Sequence, residues 1–268
     1  MRRTQFVIAG RHPLLLPIRD HLIMSGYELV QIVDPERPAF GVFGAEVYDF
    51  VSTKILYEDL STFPMHIPVL LLSSSSVYGD RDSDLNLRSP APSDESHGHV
   101  ITSPLDPGSV RPLTALTFEH IFVQREIGKT IVLRPFNVYG PQINSGIIYN
   151  FVKAIQAGET LRVHSPGRQT RTFLYSEDFF SATDVLLARL LRGGRGIYNV
   201  GSDEQVELIS LAKSACHAFD IKPSNIELVE TDERHVWWKL PALERIKADG
   251  KWRPLTSLRS GLFRLAGR

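Results

Sequence analysis

A single cysteine, Cys216, occurs among the 268 residues, so no disulfide bond can form within the chain. Such scarcity of cysteine is typical of proteins in a reducing compartment, and the sequence therefore predicts a cytoplasmic protein. Cys216 lies in the segment SLAKSACHAF, where we expect it to be a small buried residue on a helix.

The chain also has no net charge, because 30 lysines and arginines balance 30 aspartates and glutamates. A chain without a net field does not attract nucleic acid or an anionic membrane, and we expect neither as a partner. The sequence also has no stretch of about 18 consecutive apolar residues, the length that a membrane-spanning helix needs. The remaining composition is that of an ordinary soluble globular protein.

A metal site has little support in the sequence. His97 and His99 lie in a segment, 81–110, that is rich in Ser, Pro, Asp and Gly. A structural metal site needs further ligands at a defined spacing, and none follow, so this segment is interpreted as a polar loop.

What is present is a short apolar run that ends in four serines, in residues 68–80, PVLLLSSSSVYGD. An apolar run of this length, bounded by turn residues, predicts a strand that is buried on both faces of a parallel sheet. Ligands of open α/β sheets bind at the carboxyl ends of the strands. The serine hydroxyls are therefore candidates for ligand contacts, although a polar exit from a strand is the simpler interpretation of this run alone.

The amino-terminal segment has the order strand, helix, strand, with predicted elements at residues 5–9, 14–24 and 29–33. This is the first βαβ unit of a dinucleotide-binding fold. The acidic residue that follows the second strand of such a unit holds the adenosine ribose, which makes Asp34 a cofactor-binding candidate.

Four further strings follow in order along the chain: LRPFNVYGP at 133–141, GRQTRTFLYSED at 167–178, IYNVG at 197–201 and GKWRP at 250–254. With the serine run, this series resembles the extended short-chain dehydrogenase/reductase family, specifically its nucleotide-sugar epimerase and dehydratase branch. The resemblance implies an α/β fold with a Rossmann-like parallel sheet and a smaller substrate-binding lobe. It further implies a first domain at about 1–140 and an interleaved substrate lobe at 141–268.

The sheet is expected to be trimmed relative to that family. Only residues 35–67 separate Asp34 from the serine run, where the family places two further strands with their helices. One helix fits, at about 45–60. Residues 39–43 are expected to be a loop or the entry to that helix, because a parallel crossover takes a dozen or more residues.

The glycine turn after the first strand is incomplete. The family carries Gly-x-x-Gly-x-x-Gly there, so that the backbone can approach the pyrophosphate of NAD. This sequence keeps Gly10 but has Pro13 and Leu16 at the other two positions. Proline has no amide hydrogen to offer a phosphate, so NAD is expected to bind weakly or not at all.

The catalytic Tyr-x-x-x-Lys pair of the family is also absent. By the resemblance, Leu113 and Thr117 occupy the two positions, and no Tyr or Lys occurs between Tyr78 and Lys129. A phenol near its free pKa of about 10 needs the lysine to act as a base, and neither replacement can do this chemistry. Only the third catalytic position of the family, Ser74, is kept.

The dehydratase reaction is disfavoured specifically. Ser75 and Ser76 fall where the dehydratases of the family carry an acidic pair for water elimination. Two serines cannot serve there as general acid and base.

The substrate-side residues of the family are retained. Asn137 matches its asparagine near the sugar diphosphate, and Arg171 matches an arginine that can grip phosphate oxygens with two hydrogen bonds. Arg171 could instead pair with Glu177 or Asp178. Arg234 is a candidate for the second phosphate arginine of the family.

The sequence therefore favours a nucleotide-sugar-binding protein that lacks ordinary hydride transfer. One alternative is an active NAD-dependent epimerase or reductase that uses Tyr78, Tyr139 or His120 as a substitute acid and base. Another is a scaffold that pairs with an active paralogue through the helix at 114–124 and the preceding helix. The family's two-helix interface thus predicts either a homodimer or a heterodimer with a paralogue. Non-redox catalysis at Ser74 stays open, and so does the question of whether the protein is an enzyme.

Overall fold

The computed structural model describes residues 4–30, 40–45, 50–64, 66–79, 92–96, 110–124, 130–230 and 238–268. The strands are β1 (Gln5–Arg11), β2 (Glu28–Leu29), β3 (Phe40–Ala45), β4 (Val69–Leu72), β5 (Thr130–Pro135), β6 (Val138–Tyr139), β7 (Leu161–His164), β8 (Thr170–Thr172), β9 (Leu174–Tyr175), β10 (Gly196–Val200), β11 (Gln205–Glu207), β12 (Ile226–Val229) and β13 (Trp238–Lys239). The helices are α1 (Leu15–Met24), α2 (Phe50–Thr62), α3 (Val110–Val123), α4 (Ile147–Ala157), α5 (Ser176–Leu191), α6 (Leu208–Ala218), α7 (Glu244–Gly250) and α8 (Leu258–Leu265).

A six-stranded sheet in the order β10-β5-β4-β3-β1-β2 lies at the centre of the molecule. Every pair of neighbours in it is parallel. All residues of β4 and of β5 are buried, because helices cover both faces of the sheet. The α/β class with a parallel sheet, predicted from the serine run and the motif series, is confirmed.

Alternate residues of β4 enter two different cores. Leu70 and Leu72 pack with α1 and α5 on one face, in a cluster that includes Phe179. Val69 and Leu71 pack on the other face, in a cluster that includes Phe118 of α3. Each fully buried side chain of this size contributes about 1.5–3 kcal/mol to folding, so the two cores hold α1, α3 and α5 firmly against the sheet.

The prediction of a loop or helix entry at residues 39–43 was wrong. Residues 40–45 form β3, which lies between β1 and β4 and pairs with both. The crossover argument assumed that the second strand continues to residue 33. Strand β2 ends at Leu29, which leaves ten residues, 30–39, before β3 begins at Phe40.

The second half of the chain adds β10 to the central sheet and builds a separate core around β7. Helices α4, α6 and α8 pack there, with Phe151, Leu161, Leu211 and Leu262 at the centre. Cys216 is buried in this core on α6, as predicted, and its burial raises the pKa of the thiol.

Among the described residues, no helix combines the length and the apolar character needed to cross a membrane.

Candidate functional site

Ser74 lies directly beyond the carboxyl end of β4. Its backbone is extended, with φ −142° and ψ 146°, and its hydroxyl caps the following short 3-10 turn by accepting a hydrogen bond from the Ser76 amide at 3.1 Å. The side chain is almost fully buried. The guanidinium Nη2 of Arg111 donates a second hydrogen bond to the same hydroxyl, at 3.2 Å.

Helix α3 presents Arg111, and not Leu113, to Ser74. One turn further along, Ala115 is fully buried. Leu113 is half-buried, whereas Thr117 is exposed and donates its hydroxyl hydrogen bond back to the Leu113 carbonyl oxygen at 2.9 Å. The residue that contacts the serine, Arg111, thus lies two positions before Leu113, and Ala115 lies two positions before Thr117.

The rotation of α3 is set by a buried ion pair. Arg134 on β5 donates from Nε and Nη2 to the two carboxylate oxygens of Glu119, at 2.9 and 2.6 Å. The side chains of Arg134 and Glu119 are 1% and 5% exposed. The Ser73 hydroxyl also donates to Glu119. Residues at intervals of four lie on one side of a helix, so fixing Glu119 directs Ala115 and Arg111 towards the same edge of the sheet.

Tyr78 belongs to the same buried network. Its hydroxyl donates to Asn199 Oδ1 at 2.7 Å and accepts from Arg134 Nη1 at 2.9 Å. The guanidinium carbon of Arg134 also lies 4.9 Å from the centre of the tyrosine ring. Burial raises the pKa of Tyr78. Its hydroxyl therefore acts as a structural link between β5 and β10 in this network.

The network ends at the segment 92–96. The Asn199 amide donates to Glu95 at 2.8 Å, and its side chain donates to the Ser93 carbonyl oxygen at 2.7 Å. Burial raises the pKa of Glu95. These contacts hold residues 92–96 beside the carboxyl end of β10.

His12 occupies the turn between β1 and α1. Its Nδ1 accepts a hydrogen bond from the Leu14 amide at 3.0 Å, so Nε2 carries the proton and donates to the Ser73 carbonyl oxygen at 3.0 Å. Burial, together with a smaller effect of the positive charge of Arg111, lowers the pKa of His12 to about 3. The ring is therefore neutral near pH 7.

The donors in this turn do not fit the pyrophosphate of NAD. Gly10 has φ +89° and closely approaches the backbone of Gly44, as the first glycine of such a turn would. Pro13, however, has no amide hydrogen, and the Leu14 amide is bound to His12. Within residues 10–16 the turn thus keeps the bend of a phosphate-binding turn, but positions 13 and 14 offer no free amide hydrogen.

Asn137 and Arg171 are brought together by β8. Asn137, two residues beyond β5, has φ 41° and donates from Nδ2 to the Thr172 carbonyl oxygen at 2.8 Å. Arg171 precedes Thr172 on β8, is half-buried, and donates from Nη1 to the Thr170 carbonyl oxygen at 2.8 Å. Ser74 and Asn137 follow the adjacent strands β4 and β5, so both lie at the carboxyl edge of the sheet.

The other predicted residues lie elsewhere. Asp34 and Arg234 fall outside the described residues, as do His97 and His99. Tyr139 lies in the core of the second half, where its hydroxyl donates to the Leu258 carbonyl oxygen at 3.4 Å and burial raises its pKa.

His120 is exposed on α3. No cluster of His, Cys, Asp and Glu that could hold a metal ion occurs in the described part of the chain.

Two residues of this edge were missed by the sequence reasoning, Arg111 and His12. Glu119 could have identified Arg111 from the sequence. Its ion-pair partner, Arg134, lies in the string LRPFNVYGP, and Arg111 lies about two helical turns before Glu119. No local signal identifies His12, because its partner Ser73 lies 61 residues away in the sequence.

Comparison with known proteins gives both sequence and structural relatives. A profile of the NAD dependent epimerase/dehydratase family matches residues 50–201. UDP-glucuronic acid decarboxylase 3 of Arabidopsis thaliana is 33% identical over 205 residues, which are 72% of this chain and 55% of that protein. The chain thus spans about half the length of the curated relatives it matches.

Two solved structures share the fold over nearly the whole chain. A dTDP-glucose 4,6-dehydratase of Bacillus anthracis, in complex with NAD, superposes with a TM-score of 0.76 and 20% identity, covering 99% of this chain and 96% of that one. DesIV, a dTDP-glucose 4,6-dehydratase of Streptomyces venezuelae with NAD and TYD bound, gives a TM-score of 0.77 and 16% identity, covering 98% and 95%.

Proposed function

This chain belongs to the NAD-dependent epimerase/dehydratase family, and we propose that it binds a nucleoside diphosphate sugar without carrying out hydride transfer. The observation that carries the proposal is the face of α3 that meets Ser74. A tyrosine and a lysine that act with a serine must lie four residues apart on one helix face, with the tyrosine within hydrogen-bond reach of the serine hydroxyl.

The positions of Arg111 and Ala115 meet this requirement, because they are four residues apart on α3 and Arg111 reaches the Ser74 hydroxyl. Burial lowers the pKa of Arg111 to about 10, so the guanidinium stays a cation at neutral pH and cannot accept a proton. Ala115 offers only a methyl group where a lysine would supply charge. If the tyrosine and lysine positions are instead assigned to Leu113 and Thr117, as from the sequence, neither residue can transfer a proton. Proton transfer by the pair is therefore absent in either register.

The substrate side supports the binding half of the proposal. Ser74 offers a buried hydroxyl at the carboxyl end of β4, and Asn137 offers an amide at the end of the neighbouring strand β5. Arg171 follows on β8, and a guanidinium suits the two phosphates of a nucleoside diphosphate because it can donate two parallel hydrogen bonds. The names of the relatives indicate UDP-glucuronic acid and dTDP-glucose as the first ligands to test.

Replacement of Arg171 tests this assignment. The Arg171→Ala variant is expected to bind UDP-glucuronic acid about 10- to 100-fold more weakly than the unchanged protein in calorimetric titrations, since a hydrogen bond to a charged group contributes about 1.5–3 kcal/mol. Arg168→Ala is the matched control, because Arg168 is an exposed arginine on the same approach to β8.

The control is expected to keep its affinity within about two-fold. If both variants bind as tightly as the unchanged protein, Arg171 does not contact the diphosphate and this part of the proposal is wrong.

Two alternatives stay predictions. Turnover of a nucleotide sugar with NAD would establish an active enzyme with a substitute base, although Tyr78 is held between Asn199 and Arg134. Co-purification with an active paralogue would support a scaffold. A homodimer that binds a sugar nucleotide by itself would count against that role.

A further inference from the structure

The order of the strands defines a crevice between β1 and β3. From β1 the chain adds β2 on one side, and it then crosses to the other side and adds β3, β4 and β5 in turn. Such a reversal of strand order is the place where open α/β sheets bind dinucleotides, at the carboxyl ends of the strands. This crevice is therefore where an NAD molecule would have to enter.

The ring of His12 lies across this crevice. His12 follows β1, yet its Nε2 donates to the Ser73 carbonyl oxygen just beyond β4, so the side chain spans the carboxyl end of the intervening strand β3. Its other nitrogen accepts the Leu14 amide hydrogen at the start of α1. Both ring nitrogens are thereby engaged, and they tie the helix to the far side of the crevice.

Neighbouring strands leave room for the His12 ring and fix its hydrogen-bond acceptor. A Cβ added at Gly44 of β3 would lie 2.7 Å from the Cβ of His12, so a glycine there gives the histidine its room. Ser73 is fixed in turn, because its amide donates to the Leu133 carbonyl oxygen at 2.8 Å and its hydroxyl donates to Glu119. The acceptor that His12 needs is thus held rigidly in place.

We infer that His12 excludes a dinucleotide from this crevice and so determines which nucleotides the fold accepts. A pyrophosphate at the start of a helix is bound by backbone amide hydrogens, and here the Leu14 amide is already bound to His12 while Pro13 has none to offer. This inference rests on the proposed function, since it explains why a sugar nucleotide binds without NAD.

The test measures the affinity for NAD and for ADP-ribose, by calorimetry, in variants of the turn. The His12→Ala variant is expected to bind both about ten-fold more tightly than the unchanged protein or better, because one amide donor becomes available to a charged phosphate. Pro13→Ala alone is expected to gain little, because His12 still covers the turn. His21→Ala, a histidine of α1 that instead contacts Asp184 on the protein surface, is the matched control and should change nothing.

Equal dinucleotide affinity in the His12→Ala variant and the unchanged protein would overturn the inference, and so would an equal gain from Pro13→Ala. A second measurement needs no variant. In protein labelled with 15N at histidine, millimolar ADP-ribose should leave the ring resonances of His12 unchanged. Displacement of those resonances would show that the ring yields to a dinucleotide, which contradicts exclusion.

The inference and the proposed function can fail separately. UDP-glucuronic acid is titrated into the same proteins, and its binding to the unchanged protein tests the proposed function alone. The dinucleotide affinities of the His12 series test the exclusion alone.

Discussion

Replacing Glu119 by glutamine is expected to lower the free energy of unfolding by about 3–5 kcal/mol. The change leaves the Arg134 guanidinium, 1% exposed, without the carboxylate that compensates its charge. Removing one partner of a buried ion pair costs more than the pair itself contributes, because the remaining charge stays out of water. Urea denaturation followed by circular dichroism measures the difference.

Lys247→Met supplies the matched control for this prediction. Lys247 and Asp203 also form an ion pair, at 3.1 Å, but their side chains are 41% and 67% exposed. Loss of such a surface pair is expected to cost less than about 1 kcal/mol. Similar losses in both variants would contradict the central role of the Glu119–Arg134 pair in holding α3 against β5.

Gly10→Ala should destabilise the protein by about 2–5 kcal/mol, the second large effect. Gly10 has φ +89°, where a side chain adds about 1–2 kcal/mol of backbone strain, and its Cβ would lie 2.3 Å from the Gly44 carbonyl oxygen. Because the obstacle is backbone of the neighbouring strand β3, it cannot move aside as a side chain could. Thermal or urea unfolding of the variant measures this loss.

The Gly26→Ala variant separates the backbone strain from the clash of the added Cβ. Gly26 has φ +91°, nearly the same conformation, but a Cβ there would meet nothing within 4 Å. This variant should lose only the strain of about 1–2 kcal/mol. Equal effects at Gly10 and Gly26 would mean that the approach of β1 to β3 at Gly44 is looser than the structure indicates.

The parts of the fold that sequence reasoning found are those with local signals. The buried strand β4 follows from an apolar run bounded by turn residues, whereas Ser74 and Asn137 were identified from the resemblance of their motifs to those of the family. Strand β3 was missed because the second strand was expected to continue to residue 33, which left too few residues for a parallel crossover. Gly44 of β3 allows a close contact with α1, where a Cβ would lie 2.5 Å from Leu15.

The parts of the site that were missed depend on contacts distant in sequence. The residue that α3 presents to Ser74 is decided by the pairing of Glu119 with Arg134 across the core, and no periodicity within the helix contains that information. Likewise, His12 is an ordinary loop histidine until the sheet brings Ser73 within reach. Sequence alone therefore led to the prediction that the glycines, the tyrosine and the lysine are missing, but it did not indicate that Arg111 and His12 contact the serine run.

The nucleotide content of the purified protein shows whether a sugar nucleotide binds here without hydride transfer. Freshly purified protein is denatured, and the nucleotides released are identified by chromatography with mass detection; NAD and UDP-glucuronic acid are then titrated separately. We expect calorimetric binding of the sugar nucleotide, no NAD among the released nucleotides, and no product when both are incubated with the protein. Stoichiometric release of NAD, or turnover of the sugar nucleotide with NAD, would contradict this expectation.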